Sequence, residues 1–276
     1  MIFATNLNSD QTGCKSGDAY ACLRKRLDAR RRSGDGKDMQ APPTAITTVG
    51  VDADDTLWHC ESLFRLTHQR FVDLLSEHGD AAHIEAQLAA TEKRNLRLYG
   101  YGAKGFTLSM IETAMELTHG EVSTRVIREI LAAGREMLTE PVEPLPGVEH
   151  ALARLSERYR LILITKGDLL HQEQKLASSG LGDLFAAVEI VSEKDADTYR
   201  RVFERHGTGA DQAVMAGNSM RSDILPALEA GSWGALIPYP LVWAHEAAQA
   251  PADHPRYAEL GAISELPAWV DEISAN

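Results

Sequence analysis

The spacing of hydrophobic residues changes several times along the chain. A β-branched segment covers residues 46–51, helical spacing runs through residues 62–139, and short apolar runs alternate with helical stretches after residue 147. Strands that alternate with helices indicate an α/β protein with a doubly wound parallel sheet in three layers. Residues 62–139 show no strand pattern, so we expect them to form a helical bundle inserted directly after the first strand.

The inserted segment contains four stretches of helical periodicity. We predict a helix that starts at Ser62 and ends near Gly79, and a fourth helix for which Ser123 is the N-cap. Two further helices are predicted over residues 82–98 and 106–118. The segment 141–147 holds three prolines and ends in glycine, which predicts a stiff linker back to the sheet.

The alternating part of the chain supplies the remaining strands and helices of the predicted sheet. Strands are predicted over residues 46–51, 161–164, 188–191, 213–216 and 235–237. Helices are predicted over residues 148–158, 169–179, 195–206, 224–230 and 265–273. Gly180 follows one of these helices directly and is a typical C′ residue.

Three carboxylates follow the first strand within four residues. Asp52, Asp54 and Asp55 are close enough to repel each other and shift each other's pKa values. Such a cluster needs a cation or a reaction to justify it, although a solvated acidic turn is the alternative interpretation. The other strand ends decide between the two, because open α/β sheets bind ligands outside the carboxyl ends of their strands.

Polar residues also follow two other predicted strands. Thr165 and Lys166 come after residues 161–164, and Asn218 and Asp223 follow residues 213–216. Lys194 stands just before a predicted helix. Each residue alone is more typical of a turn, a cap or a solvated surface, but together with the first acidic cluster they favour a functional site.

Composition and charge restrict the class of partner. Hydrophobic residues make up 44% and charged residues 25% of the chain, as is ordinary for a soluble globular protein. The net charge of −12 argues against nucleic acid or an anionic membrane as the main partner. No stretch approaches the roughly 20 apolar residues of a membrane helix. Three cysteines do not make a disulfide framework, so we expect a cytoplasmic protein.

The first 43 residues differ from the rest of the chain. They are rich in Ser, Gly, Asp and Arg, and residues 1–38 hold eight Lys or Arg against five Asp. Such a segment buries little surface, so we expect residues 1–43 to be a disordered and dispensable leader. An arm that binds nucleic acid or a partner is the alternative. We also hypothesise that translation naturally begins at Met39.

Four segments in order resemble the motifs of the haloacid dehalogenase-like (HAD) hydrolase superfamily. They are Val49–Leu57, Ile162–Thr165, Ser192–Asp195 and Gly217–Ile224. The resemblance covers about residues 44–240 and is specific because all four motifs are present. It implies a Rossmann-like core domain formed by residues 44–60 and 141–276, with residues 61–140 as a helical cap domain of the family's first type.

The resemblance also implies a role for each motif residue. Asp52 would be the nucleophile that forms an aspartyl-phosphate intermediate, and Asp54 would act first as general acid and then as general base. Thr165 and Lys194 would hold the oxygens of the transferred phosphoryl group. Mg²⁺ would be bound by Asp52, the backbone carbonyl of Asp54 and Asp223.

One residue departs from the family pattern. The fourth motif often has Asp directly after its Gly, where this chain has Asn218. An amide offers a neutral oxygen, so Asn218 could bind the metal ion or order a metal-bound water, and its share relative to Asp223 stays open. Asp55 is expected to be a structural acid, and Asp168 is expected to cap the helix that follows it.

Candidate substrate contacts lie around the motifs. The predicted loop Tyr99–Phe106 offers Tyr101 and Lys104, which could cover the site and contact the leaving group. An ordinary interhelical loop is the equal alternative. Lys166 is a candidate through its position after Thr165, and Trp58 either contacts substrate or packs in the core. Trp243 and His245 have no assigned role.

The leading interpretation is Mg²⁺-dependent hydrolysis of a small phosphomonoester, acting on a small phosphorylated metabolite. A 2-haloacid dehalogenase is the nearest alternative, but that chemistry needs no metal and lacks the second aspartate, so Asp54 argues against it. A phosphomutase stays open, because water and a sugar hydroxyl can both accept from aspartyl-phosphate. A non-catalytic binding or regulatory module, favoured only by Asn218, is the alternative of another class. We expect a monomer or a homodimer.

Overall fold

The computed structural model describes residues 45–241, 243, 246, 248–251 and 253–275. The predicted leader, with the hypothetical start at Met39, lies outside the described residues, and so does His245. All further statements concern the described part of the chain.

A single parallel sheet forms the centre of the fold. Its six strands stand in the order β3-β2-β1-β4-β5-β6, and every neighbouring pair is parallel. The strands are β1 Thr48–Val51, β2 Arg160–Lys166, β3 Ala187–Val191, β4 Ala213–Gly217, β5 Trp233–Leu236 and β6 Tyr257–Glu259. The predicted α/β class with a doubly wound sheet is therefore confirmed.

The described residues form nine α-helices. They are α1 Glu61–Leu74, α2 Ala81–Tyr99, α3 Ala103–Leu117, α4 Thr124–Thr139, α5 Val148–Ser156, α6 Leu169–Ser179, α7 Ala196–His206, α8 Leu225–Glu229 and α9 Leu266–Ala275. None of these helices is long and apolar enough to cross a membrane.

Alternation along the central strands sorts side chains to the two faces of the sheet. Val49 and Val51 of β1 join a core cluster that includes Leu152 of α5 and Val270 of α9. On the opposite face, Ile162 of β2 packs in a cluster with side chains of α7 and α8. The sheet is thus covered by helices on both faces, as the near-continuous apolar strands require.

Glycine at position 50 allows close packing on the second face. A Cβ built there would lie 2.9 Å from Ile164 Cδ1 and 3.1 Å from Phe203 Cε1. A side chain at this position would therefore push α7 away from the centre of the sheet. The carboxyl end of β1, where the acidic residues begin, lies between β2 and β4, with which β1 is paired.

Helices α1 to α4 follow β1 and form an insertion, Glu61–Thr139, with a hydrophobic cluster of its own. Phe71, Leu88, Met110 and Ile130 contribute one buried side chain from each helix. Ser123 caps α4, as predicted, by accepting a hydrogen bond from Val126 N at 3.3 Å. The division into a core domain and a cap domain at residues 60 and 140 stays a prediction.

Three predicted element boundaries are wrong. The predicted loop Tyr99–Phe106 is only three residues long, because α2 continues through Tyr99 and α3 begins at Ala103. Gly100 and Gly102 make this turn with φ values of 71° and 100°, which favour glycine. The first helix of the insertion ends at Leu74, five residues before Gly79.

Two elements that follow the insertion also differ from the prediction. The predicted helix 224–230 is preceded by a π-helical turn, Met220–Ile224, and α8 begins only at Leu225. Strand β6 was not predicted, because Tyr257–Glu259 is too short to show alternation. It is recognisable only through its pairing with β5, in which Tyr257 lies opposite Gly234.

Candidate active site

The turn after β1 brings both predicted catalytic acids to the edge of one cavity. Asp52 N donates to Ala216 O at 2.9 Å and extends the pairing with β4 by one residue. Leu57 N then donates to Ala53 O at 2.7 Å and closes a tight turn that contains Asp54. Asp52 and Asp54 line a cavity of about 230 Å³ that extends from the strand ends into the insertion.

Asp55, the third acid of the cluster, also lines the cavity, but its carboxylate is bound by backbone N–H groups. Its carboxylate accepts hydrogen bonds from Cys60 N at 2.8 Å and Glu61 N at 3.0 Å, and so satisfies the first N–H groups of α1. Its φ of 60° is uncommon for a residue other than glycine. Burial raises the pKa of Asp55 to about 6, although the two N–H groups oppose this shift. These contacts agree with the predicted structural role, which stays a prediction.

Lys194 joins the predicted nucleophile to the predicted metal ligand. Its ammonium group donates to Asp52 Oδ1 at 2.5 Å and to Asp223 Oδ1 at 2.7 Å. All three side chains are buried. Burial and the Asp223 carboxylate raise the pKa of Asp52 to about 7, against the lowering effect of Lys194. Burial alone would lower the pKa of Lys194, but the two carboxylates raise it, so the lysine stays charged.

Asp223 is placed by the π-helical turn that follows β4. Its Oδ2 accepts from Ser219 N at 2.9 Å, and the whole side chain is excluded from solvent. The carboxylate lies so close to the backbone of Gly217 that a Cβ there would be 2.3 Å from Asp223 Oδ2. The Gly at the end of β4 is therefore required for the acid to enter the site.

Asn218 completes a group of oxygen ligands. One end of its amide lies 3.2 Å from the Asp54 carbonyl oxygen, from Asp52 Oδ2 and from Thr56 Oγ1. With nitrogen at this end the amide donates to all three. With oxygen at this end, the oxygens of Asn218, Asp52 and Asp54 face one another, which is favourable only around a cation.

These ligands fit a hard divalent cation such as Mg²⁺. Asp52 and Asp223 share one ammonium group, so the group carries one net negative charge in a buried site when both carboxylates are ionised. Carboxylate, carbonyl and amide oxygens are the ligands that Mg²⁺ prefers. Within the described residues no group of three or more His, Cys, Asp or Glu side chains is arranged to hold a metal ion. The fit therefore depends on backbone and amide oxygens besides the two carboxylates.

Thr165 lies at the end of β2 and lines the same cavity. Its side chain is buried, and its Oγ1 accepts a hydrogen bond from Gln172 Nε2 at 3.0 Å. Thr165 thus lies at the end of β2, which is paired with β1, whereas Lys194 follows β3 and reaches Asp52 from one strand further along the sheet. The structure brings all the predicted catalytic and metal-binding residues to one edge of the sheet, while their roles stay predictions.

Three donors that the sequence interpretation missed or misjudged surround Asp54. Lys175 contacts Asp54 Oδ1 with its ammonium group, and Trp58 Nε1 donates to the same oxygen at 2.7 Å. Gln172 Nε2 donates to Asp54 Oδ2 at 3.0 Å. Trp58 is 1% exposed, so core packing and not substrate contact explains its position. Burial raises the pKa of Asp54, but the Lys175 charge and the three hydrogen bonds outweigh it, and the pKa is lowered.

Lys166 faces a second group of polar side chains. Its ammonium group lies 2.8 Å from Glu246 Oε1 and 2.8 Å from Ser222 Oγ, and 4.2 Å from the centre of the Tyr101 ring. Glu246 also contacts the hydroxyl groups of Ser219 and Ser222. No motif marked Glu246 in the sequence. It connects the last part of the chain to the π-helical turn of the site.

Tyr101 and Lys104 connect the insertion to the sheet. Tyr101 Oη donates to Glu193 Oε2 at 2.8 Å, and Lys104 Nζ lies 2.8 Å from Asp168 Oδ1. Asp168 also accepts from His171 N at 3.0 Å, which confirms its predicted role as the cap of α6. Both predicted substrate contacts therefore have protein partners on the opposite side of the cavity.

The end of the cavity that lies in the insertion combines apolar side chains, such as Phe64 and Phe106, with several polar ones. Glu61, Arg65 and His68 of α1 line it together with Glu92 and Asn95 of α2. Burial and the nearby Glu61 raise the pKa of Glu92 to about 7. The Nε2 atom of His68 is buried and has no hydrogen-bond partner in the described structure. Helical periodicity had predicted only which faces pack, so it could not distinguish these residues from solvated ones.

Known proteins resemble this arrangement at the level of family and fold. A family model of haloacid dehalogenase-like hydrolases matches residues 46–231. A haloacid dehalogenase-like family hydrolase from Xanthomonas campestris is 46% identical, over 86% of this chain and 95% of that chain, with a TM-score of 0.76. No curated protein sequence is significantly similar to the chain.

Two more distant structures share the fold alone. The HAD-hydrolase YfnB from Bacillus subtilis, described as bound to magnesium, is 17% identical with a TM-score of 0.58, over 82% of this chain and 99% of that chain. A 2-haloacid dehalogenase from Pseudomonas syringae is 21% identical with a TM-score of 0.55, over the same shares. Structures described as dehalogenases and structures not so described therefore have this fold, and the fold alone does not decide the reaction.

Proposed function

Because the chain belongs to the haloacid dehalogenase-like hydrolases, we propose that it hydrolyses a small phosphomonoester with Mg²⁺, through an aspartyl-phosphate on Asp52. The observation that supports this proposal best is the pair of carboxylates on one turn, with Asp52 against Lys194 and Asp54 against Lys175. A nucleophile and a second acid that lie in one cavity, each held by its own lysine, suit two half-reactions with a proton transfer in each.

In the first half-reaction Asp52 attacks phosphorus through one carboxylate oxygen. The bond between phosphorus and the ester oxygen breaks, and the leaving oxygen takes a proton from Asp54. Lys194, which contacts Asp52, and the Thr165 hydroxyl group, which lines the same cavity, would hold the phosphoryl oxygens. When bound, Mg²⁺ would supply positive charge that offsets the repulsion between the carboxylate and the phosphate.

In the second half-reaction water attacks the phosphorus of the aspartyl-phosphate. Asp54, now ionised, takes a proton from that water, and the bond between phosphorus and the Asp52 oxygen breaks. Inorganic phosphate and the free Asp52 carboxylate are the products. The lowered pKa of Asp54 keeps it ionised near neutral pH, as this role requires, and the proton that it takes here is the one that it donates in the next first half-reaction.

The insertion supports a small substrate. The cavity of about 230 Å³ ends among side chains of α1 and α2, so it has room for a metabolite rather than a protein segment. A cytoplasmic location, a monomeric or homodimeric state, and the absence of nucleic acid or membrane partners belong to the same proposal. Glu92 and Asn95 would bind hydroxyl or amino groups of the leaving group, beside the apolar surface of Phe64 and Phe106.

A panel of small phosphomonoesters tests the proposal. Phosphate release is measured with Mg²⁺, with excess chelator, and with Asp52→Asn as the matched variant that keeps size but loses the nucleophile. We expect release that requires both Mg²⁺ and Asp52. If no ester in the panel is turned over and halide is released from a 2-haloacid instead, the dehalogenase alternative is correct. Transfer to a sugar hydroxyl in place of water would identify a phosphomutase.

A further inference from the structure

Helix α6 presents two polar side chains to Asp54 from one face. Gln172 and Lys175 are three residues apart, so they lie on neighbouring turns of the same side of the helix. Gln172 is 3% exposed and Lys175 is 9% exposed. A buried lysine is costly unless a charged partner compensates it, and its carboxylate partner here is Asp54.

We propose that Lys175 is a positioning residue that fixes the carboxyl group of Asp54 for its proton transfers, with Gln172 as a second support that ties Asp54 to Thr165. This inference rests on the proposed function, because it assigns Asp54 the acid and base steps. Neither side chain belongs to the four motifs that the sequence displays.

The contacts fix the carboxyl group in orientation as well as in position. Lys175 and Trp58 both donate to Oδ1, whereas Gln172 donates to Oδ2, so neither oxygen can rotate away without the loss of a hydrogen bond. Lys175 Nζ also lies 5.9 Å from the centre of the Trp58 ring. The three donors leave one lone-pair position of the carboxyl group free on Oδ2, and a proton carried there can pass to the leaving oxygen of the ester.

Gln172 connects the turn after β1, which carries Asp54, to the end of β2, which carries Thr165 and Lys166. Its Nε2 lies 3.0 Å from Asp54 Oδ2, 3.0 Å from Thr165 Oγ1 and 2.7 Å from Lys166 O. Its Oε1 is buried and has no hydrogen-bond partner in the described structure. In the opposite orientation of the amide, Oε1 would face two other acceptors, the Asp54 carboxylate and the Lys166 carbonyl oxygen. An Oε1 without a hydrogen-bond partner costs less free energy than this repulsion.

A purely structural ion pair is the competing explanation, and leaving groups distinguish the two. An alkoxide must be protonated as it leaves, whereas p-nitrophenolate leaves readily without a proton. If Lys175 positions the acid, its loss harms hydrolysis of alkyl phosphates far more than hydrolysis of p-nitrophenyl phosphate. If Lys175 only stabilises α6, both substrates are affected alike.

The experiment compares kcat/KM of an alkyl phosphate and of p-nitrophenyl phosphate in Mg²⁺-loaded enzyme variants. For Lys175→Met we expect a loss of roughly 100-fold with the alkyl ester and less than about 10-fold with the aryl ester, because general acid catalysis contributes at least that much. Lys175→Arg should restore part of the selective loss. Lys93→Met removes an exposed lysine of α2 and should change neither substrate.

Two further variants keep the test decisive. Gln172→Ala removes a donor without leaving a buried lysine or a buried carboxylate wholly unpaired, and should show the same selective loss if Lys175→Met does not fold. Adding Lys175→Met to Asp54→Asn should cost little more than Asp54→Asn alone, because both act through one group. Equal losses for both esters in active variants would overturn the inference and leave the proposed function intact. Wild-type protein that hydrolyses neither ester would overturn both.

Discussion

The Lys194 ammonium group lies 2.5 Å from Asp52 Oδ1, and both side chains are withdrawn from solvent. The same ammonium group serves Asp223, so one positive charge is shared by two buried carboxylates. This arrangement holds the pKa of Asp52 at about 7, because burial and the Asp223 carboxylate raise it more than Lys194 lowers it. It also leaves one negative charge that a divalent cation would neutralise.

Substitution of Asn218 tests the metal site. Asn218→Asp adds a carboxylate beside Asp52 and the Asp54 carbonyl oxygen, so we expect the half-saturating Mg²⁺ concentration to fall roughly tenfold, or about 1.4 kcal/mol. The metal-free variant should be less stable than wild type, because like charges are brought together. Activity is titrated against Mg²⁺, with Asn218→Ala as the control that should bind more weakly. An unchanged half-saturating concentration in Asn218→Asp would place Asn218 outside the metal site.

Asp55 should affect stability rather than chemistry. Asp55→Ala removes two hydrogen bonds to the start of α1 and puts alanine at a φ of 60°, so we expect a loss of ~1–3 kcal/mol in the free energy of unfolding. Asp55→Asn keeps an acceptor and tolerates this φ, and should lose less. Denaturant unfolding and kcat are measured together. A strong fall in kcat for a folded Asp55→Asn would assign this acid to the reaction.

Glu92 should make stability fall as pH rises. Its pKa in the folded state is about 7, above the ordinary 4.5, so the folded state binds the proton more tightly than the unfolded state. The stabilisation is complete below about pH 4.5 and is lost as pH rises to about 7. Glu92→Gln should therefore exceed wild type by ~1–3 kcal/mol at about pH 8 and match it near pH 4.5.

Unfolding free energies at the two pH values check this, with Glu121→Gln as an exposed control on the same insertion. Parallel pH profiles for wild type and Glu92→Gln would show that another group is responsible for the slope.

The two contacts between the insertion and the sheet should contribute unequally to substrate binding and turnover. Tyr101→Phe keeps the ring beside Lys166 but loses the hydrogen bond to Glu193, so we expect KM to rise by up to about tenfold, or ~0.5–1.5 kcal/mol.

Lys104→Ala removes an ion pair whose lysine is 47% exposed, and should change kcat/KM by less than about fivefold, with the effect vanishing at high salt. A large, salt-independent loss in Lys104→Ala would show that Lys104 contacts the substrate, as the sequence interpretation had allowed.

Spacing along the strands was enough to locate most of the candidate site. Asp52 and Asn218 each follow a buried strand, and Thr165 is the second-last residue of another. Parallel strands bring their carboxyl ends to one edge of the sheet, so the same pattern predicts both the topology and the proximity of these residues. Lys194 required the order of motifs besides the pattern, because it lies after β3 in a segment without regular structure.

Residues on helix α6 could not be found in this way. Lys175 and Gln172 occupy a helix whose first turns also expose Leu169 and Leu170, so hydrophobicity gives no clear inner face there. Only Asp168 could have indicated these residues from the sequence. As the N-cap it marks where α6 begins after β2, and from that start Gln172 and Lys175 fall on one side of the helix. Strand β6 and the π-helical turn were missed for a different reason, since both are set by tertiary contacts and not by local periodicity.

Trapping the covalent intermediate tests the central claim most directly. Enzyme with Mg²⁺ and a substrate from the ester panel is quenched with acid during turnover, and the peptide that carries Asp52 is analysed by mass spectrometry. We predict a phosphoryl group on Asp52 in wild type that accumulates further in Asp54→Asn, which lacks the base for hydrolysis, and that is absent in Asp52→Asn. Steady phosphate release with no phosphorylated Asp52, or phosphorylation of another residue, would contradict the account.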